Sequence, residues 1–387
     1  MKESRREFLK KSTCALSMTA LATQMHHMGM MSALAQKMDE KEQPAQGGDS
    51  YKAIVLLYMS GGNDGNNMVI PVHNDASVSN YAAYAATRQT QGLAIPQASL
   101  LPISVPRIGG LTYGLHPALG PVTGGINNGI HELWAQQKLA MVTNVGTLVA
   151  PMTKAQYQNN SVPKPYQLFS HSDQVAQSQT SVSSTQAFTG WGGRIADRMN
   201  QPNNPNGLIP MITSIAGAQL FTAGQTTLPM AIADANTSLA NVLNPAGFNT
   251  TAASVARRNA MNQLRTIDLD NNYLAAASHV TDLAMEANNA LQTFQEVTVP
   301  FPNTGIGRQL RQIARLIKKR TDLNVNRQVF YCQIGGFDTH NNQLNNHTTL
   351  LSQFSQAARA FYDEMVVQGV SNDVTLFTLS DFNRTMN

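Results

Sequence analysis

The sequence predicts an α/β protein with a mainly parallel central sheet flanked by helices. Three observations carry that expectation. Short, continuously apolar runs at Tyr51 to Met59, Gln328 to Ile334 and Val374 to Leu379 have the composition of strands buried on both faces. The last two runs are separated by a helical pattern from about Thr348 to Gln368. Strands joined by such a crossover are expected to be parallel neighbours. Finally, Ile306, Leu310, Ile313 and Ile317 recur at helical spacing in "IGRQLRQIARLIKKR", with Arg and Lys on its other, solvated faces.

The chain opens on "SRREFLKKS", in which Arg5 and Arg6 precede Phe8, Leu9 and Lys10 and a weakly apolar stretch follows. This pattern resembles a twin-arginine export signal, with Ala33-Leu34-Ala35 as small residues at a cleavage site. Residues 1–35 are therefore expected to be a signal peptide that the twin-arginine export machinery reads. The mature protein would then be periplasmic or extracellular. Residues 36–50, "QKMDEKEQPAQGGDS", read as a linker before a domain over 51–387.

Within that domain, "KLAMVTNVG" (Lys138 to Gly146) reads as a second strand, and "LIPMITSIAG" and "QLFTAG" as further strands. The segment from about 205 to 300 reads as an insertion or cap, helical from about Thr250 to Glu296.

Composition narrows the function classes. The chain is 42% hydrophobic but only 13% charged, about half the usual share. Five of the 27 Lys and Arg and two of the 23 Asp and Glu fall in residues 1–35, which leaves 22 against 21. No basic patch remains for a phosphate backbone, so nucleic acid is not an expected partner. Nothing after residue 50 is apolar for long enough to span a membrane. Without Cys14, Cys332 stands alone in a strand and no internal disulfide can form.

Ligands of open α/β sheets bind beyond the carboxyl ends of the strands. Three strands here run into polar loops: Tyr51–Met59 into "SGGNDGNN" with Asp64, Gln328–Ile334 into "GGFDTH" with Asp338 and His340, and Val374–Leu379 into "SDF" with Asp381. If parallel, they bring these groups to one edge, where carboxylates repel unless a cation neutralises them. Carboxylate plus imidazole suits Zn²⁺ or Mn²⁺, and carboxylate plus amide suits Mg²⁺ or Ca²⁺. Singly, each has a plainer reading, Asp64 as a turn former and Asp338 as a helix cap. In "LFSHSDQ", Ser170 or Ser172 can be a nucleophile activated by His171 or by a metal, or the stretch is a hydrogen-bonded loop before a helix. His116 reads as a residue at a helix start, and His131, His279 and His347 carry no pattern.

The export signal, "GGNDGNN", "GLHPAL", "LFSHSDQ", "GWGGRIAD", "GGFDTHNNQ" and "VTLFTLSDFNRT" occur in the order seen in the DUF1501 family, and the chain resembles it over nearly its whole length. That family is similar to the alkaline phosphatase and sulfatase superfamily. The resemblance implies an alkaline-phosphatase-like fold, with divalent metals held by Asp64, Asp338, His340 and Asp381 beside a nucleophile at Ser170 or Ser172. The implied function is metal-dependent phosphate or sulfate ester hydrolysis. The alternative is a non-catalytic secreted binding or assembly protein that keeps the fold. Two departures stand out. Asp381-Phe382-Asn383-Arg384-Thr385 replaces the family's Glu-Phe-Gly-Arg-Thr, and the sequence ends at Asn387, before the glycine-rich Asp-His segment with which family members continue. The expectation is that a C-terminal part is missing, with a further ligand.

Overall fold

The computed structural model describes residues 50–227, 229–242, 250–267, 272–293 and 295–386. The expected export signal and cleavage site, Cys14 and the expected linker over 36–50 lie outside these, apart from Ser50.

Among the described residues, five strands form the central sheet: β1 (Lys52–Met59), β5 (Ile212–Ser214), β6 (Met230–Ala231), β7 (Arg327–Ile334) and β8 (Val374–Ser380). Their order is β6-β5-β7-β1-β8, and every pairing is parallel. The segment from 205 to 300 thus contributes two strands, β5 and β6, to the main sheet. A second sheet of three short antiparallel strands, β2 (Val69–Pro71), β3 (Leu101–Ser104) and β4 (Thr112–Leu115), has the order β2-β4-β3. The helices are α1 (Tyr81–Gln89), α2 (Lys154–Asn159), α3 (His171–Thr180), α4 (Trp191–Asn203), α5 (Ala252–Leu264), α6 (Asn272–Gln292), α7 (Gly305–Lys318) and α8 (Gln343–Val367).

The continuous apolar strands follow from burial on both faces. Val55, Leu57 and Met59 of β1 and Phe330 and Cys332 of β7 pack in one cluster with Leu310 and Ile313 of α7 and Leu351 and Phe354 of α8. The alternate residues Leu56, Tyr58, Val329 and Tyr331 pack with Ala196 of α4 and Phe221. Successive strand side chains point to opposite faces, so a sheet between two helical layers needs apolar residues at both parities. β8 is an edge strand and differs: its residues are half-buried or exposed.

Three expectations are corrected. β7 and β8 are parallel but not adjacent, because β1 lies between them and pairs with both. A crossover helix fixes strand direction but leaves room for a third strand, and β1 has the apolar residues to fill that slot. Lys138 to Gly146 forms no strand. Asn144 there and Gln137 just before it have left-handed backbones (φ 58° each), and Val142 and Val145 are exposed. The "QLFTAG" segment holds a 3₁₀ turn, Leu220–Thr222, and the next strand comes later, at β6.

Helix α7 is capped by the Thr304 hydroxyl, which accepts from the Gly307 N–H, and Ile306, Leu310, Ile313 and Ile317 are buried. Each contributes roughly 1.5–3 kcal/mol of apolar burial. Its basic face is less solvated than expected: Arg315 and Lys319 are buried, and Arg311 and Arg315 both pair with Glu296.

Candidate functional site

Parallel register aligns the strand ends. Met59 lies opposite both Ile334 and Ser380, so the loops after β1, β7 and β8 leave the sheet side by side. They are zipped by hydrogen bonds: Ser60 N–H donates to Ile334 O and Phe337 N–H donates to Ser60 O. Ser380 Oγ accepts from Asn63 N–H and donates to Met59 O. Gly61 makes this approach possible. Its φ is +116°, and a Cβ there would lie 2.3 Å from the Asp338 nitrogen.

At this edge the structure brings together four of the residues nominated from sequence. His171 is the first residue of α3, and its Nδ1 lies 2.9 Å from Asp381 Oδ2. Its Nε2 faces Asp338 Oδ1 at 3.6 Å, and the same oxygen lies 2.9 Å from His340 Nε2. The His171 ring packs against Phe382 with centroids 4.7 Å apart. Asp381 is 2% exposed at its side chain and also accepts the Gly61 N–H, so it is the buried anchor. Asp338 and His171 are about two-fifths exposed and His340 is 74% exposed. The groups form a chain that runs from core to solvent.

Arg384 closes the cluster. Its Nη2 donates to Asp338 Oδ1 (2.9 Å), to Phe337 O and to Gly61 O, while Nε donates to Gly62 O. Partial burial alone would raise the Asp338 carboxyl, but the Arg384 hydrogen bond and the His340, His171 and Arg384 charges outweigh it and hold the group below the usual carboxylate range.

Asp64 stands apart. It is buried, pairs with Arg88 of α1 and accepts from Gln343 Nε2 at 2.7 Å. No hydrogen bond or ion pair joins it to His171, Asp338, His340 or Asp381. Burial pushes its carboxyl up, against the pull of Arg88 and Gln343. Arg88 is fully buried and also donates to Thr385 O, the residue after Arg384.

The two serines are placed as helix-start groups. Ser170 caps α3: its hydroxyl donates to Asp173 Oδ2 at 2.6 Å, and the Asp173 N–H points back at it. Ser172 Oγ lies 3.2 Å from Ser170 Oγ. Neither hydroxyl has a hydrogen bond to His171. Just before them, Phe169 adopts a left-handed backbone (φ 70°) and is exposed.

Sequence reasoning passed over Arg88, Gln343 and His347. His347 Nε2 lies 2.9 Å from Asn63 Oδ1, and its ring meets His116 edge to face at 5.6 Å. His116 caps the turn Pro117–Leu119 by accepting from Ala118 N–H, in line with its place before a helix start. Burial pushes both rings down to about 4, for His116 with help from His347 and for His347 from Arg88 and Arg384. A signal existed for Arg88 and His347 but not for Gln343. Arg88 lies four residues after buried Tyr84, and His347 continues the stripe Leu351, Phe354, Ala358, Phe361, so both fall on buried helix faces. Cys332 is buried, with its thiol pushed up by burial and directed at Leu56 O.

Among the described residues, no group of three or more His, Cys, Asp and Glu side chains is arranged as a ready-made metal site, and no helix is long and apolar enough to cross a membrane. In comparison with known families, the model of DUF1501, a protein family of unknown function, matches residues 51–387. No curated protein and no solved structure matches the chain.

Proposed function

The chain belongs to the DUF1501 family, and we propose that it is an exported, metal-dependent hydrolase of phosphate or sulfate esters, working at the edge where β1, β7 and β8 end. One observation carries this reading: the His171 ring stands between two carboxylates, Asp381 at Nδ1 and Asp338 at Nε2. A neutral imidazole has one N–H and can donate to only one of them. The other ring nitrogen, on a side chain about two-fifths exposed beside Asp338, is open to a second proton, a water or a cation.

The donor chemistry fits a cation. Metal-bound histidines usually give their far N–H to a carboxylate, as His171 Nδ1 can to Asp381. His171 Nε2, Asp338 and His340 are then the groups that would hold a divalent ion of the Zn²⁺ or Mn²⁺ type. Asp64, committed to Arg88 and Gln343, is the least suited of the expected ligands. The bound ion would supply Lewis-acid stabilisation of the ester oxyanion and a lowered pKa for an attacking hydroxyl or water. The protein's own part is to orient: Asp381 fixes the His171 ring and the zipped loops hold Asp338 in front of it. Export through the twin-arginine pathway, with a periplasmic or extracellular mature protein, is supported by "SRREFLKKS" and Ala33-Leu34-Ala35.

The test is metal analysis of the exported protein, followed by assays with aryl phosphates and aryl sulfates. About one or two ions per chain, lost with turnover in Asp338→Asn, is the expected result. A metal-free protein inactive with Zn²⁺, Mn²⁺, Mg²⁺ and Ca²⁺ overturns it. The positions of Ser170 and Ser172 favour a second reading, a secreted binding or assembly protein without ester chemistry, because neither hydroxyl is hydrogen-bonded to His171. Bound metal without turnover of any ester would point there.

A further inference from the structure

The guanidinium of Arg384 makes four hydrogen bonds, none of them to a residue of its own loop. Three go to backbone carbonyls, Gly61 and Gly62 after β1 and Phe337 after β7. The fourth goes to Asp338 Oδ1, the oxygen that faces both His171 and His340. Arg384 is in turn fixed from behind. Its neighbour Thr385 gives its carbonyl to buried Arg88, which is held by Asp64. Asn66 Nδ2 donates to the Arg384 carbonyl, and Asn383 Oδ1 accepts the Gly65 N–H. The loop after β8 is thus tied at Asn383 and Arg384 to the segment after β1, and at Thr385 to Arg88 of α1.

From this arrangement we infer that Arg384 is a positioning residue, which sets where the Asp338 carboxylate points and so how His171 and His340 meet it, with the Asp64–Arg88 pair as its buried support. Two features separate this role from general stabilisation. The planar fork joins the two loops that carry Asp338 and Gly61, and the Gly61 N–H in turn holds Asp381, the carboxylate behind His171. Its charge also sits on the same oxygen that the histidines approach, where a cation would compete with it. Arg384 would then hold Asp338 in place while leaving its second oxygen free. Asp64 accordingly acts through Arg88 and Arg384 and needs no contact with a ligand.

The experiment compares the exported protein with Arg384→Gln and Arg384→Lys. Two properties are read: Zn²⁺ affinity by competition with a chromophoric chelator, and the ring ¹⁵N and ¹H resonances of His171 and His340, metal-free at one fixed pH. If Arg384 positions Asp338, Arg384→Gln moves both sets of ring resonances and weakens Zn²⁺ about 10–100-fold, the usual effect of losing an outer-shell partner. Arg384→Lys restores the charge without the fork, so its resonances are displaced too and its affinity falls between the others. It serves as the deciding variant if Arg384→Gln does not fold. A folded variant with wild-type ring resonances overturns the inference, whatever its melting temperature. The Zn²⁺ arm rests on the proposed function and the resonance arm does not. Wild-type protein that binds no Zn²⁺ would therefore remove the metal reading, and the resonances alone would decide Arg384.

Discussion

His171 Nδ1 lies 2.9 Å from the buried Asp381 Oδ2, so the first residue of α3 is oriented by the residue that follows β8. An imidazole held this way presents Nε2 outward in a fixed direction. Asp381→Asn keeps the shape but can offer its amide N–H, which leaves the ring free to rotate or change tautomer. Metal affinity or turnover is expected to fall about 10–100-fold with little change in stability. Chelator competition and circular dichroism melting check the two halves of that statement.

Gly61→Ala tests the loop junction. The new Cβ would meet the Asp338 backbone at 2.3 Å, in a conformation (φ +116°) that alanine resists. Neither the backbone contact nor the strain can be relieved without moving the β7 loop, so about 3 kcal/mol or more of stability should be lost. Urea denaturation measures it. Gly92→Ala, at a left-handed position with nothing within 4 Å, carries only the backbone term and should cost less.

The Asp64–Arg88 pair is expected to behave as a buried couple. Arg88→Met strands a buried carboxylate and should cost about 3–5 kcal/mol. Adding Asp64→Asn removes that charge and should recover part of the loss. A double variant as unstable as the sum of the singles would show that the two side chains are energetically independent.

His116 and His347 predict an acid-sensitive stability. Both folded-state values are about 4, below the ~6.5 of an unstructured histidine, so the unfolded chain binds more protons in between. Stability rises with pH wherever the unfolded state holds the extra protons. Their contribution is therefore present above pH ~6.5, falls as pH drops toward about 4 and levels off below that. At most about 3 kcal/mol per ring is at stake. Denaturation at a series of pH values should show the slope, and His347→Gln should flatten it.

Export is tested outside the folded domain. Replacing Arg5 and Arg6 with Lys keeps the charge and removes the paired guanidinium groups that the pathway reads. Precursor should accumulate in the cytoplasm, as followed by fractionation and immunoblotting. Unchanged export of the variant would overturn the twin-arginine reading.

The apolar runs of β1 and β7, the helical stripes of α7 and α8 and the polar residues after each strand were all legible in the sequence. Each is a local consequence of which faces must be buried. From these alone follow a parallel α/β sheet and the placing of Asp338, His340 and Asp381 on one edge. Tertiary structure decided what periodicity does not encode. β1 was inserted between β7 and β8, because an apolar strand states that it is buried and not beside which partner. Lys138 to Gly146 stayed out of the sheet, for an apolar run becomes a strand only where a neighbour offers a ladder. Asp64 was drawn to Arg88, 24 residues away on another element, and not to Asp338. Partner choice among buried charges depends on which cation the packing delivers, and only the folded chain contains that information.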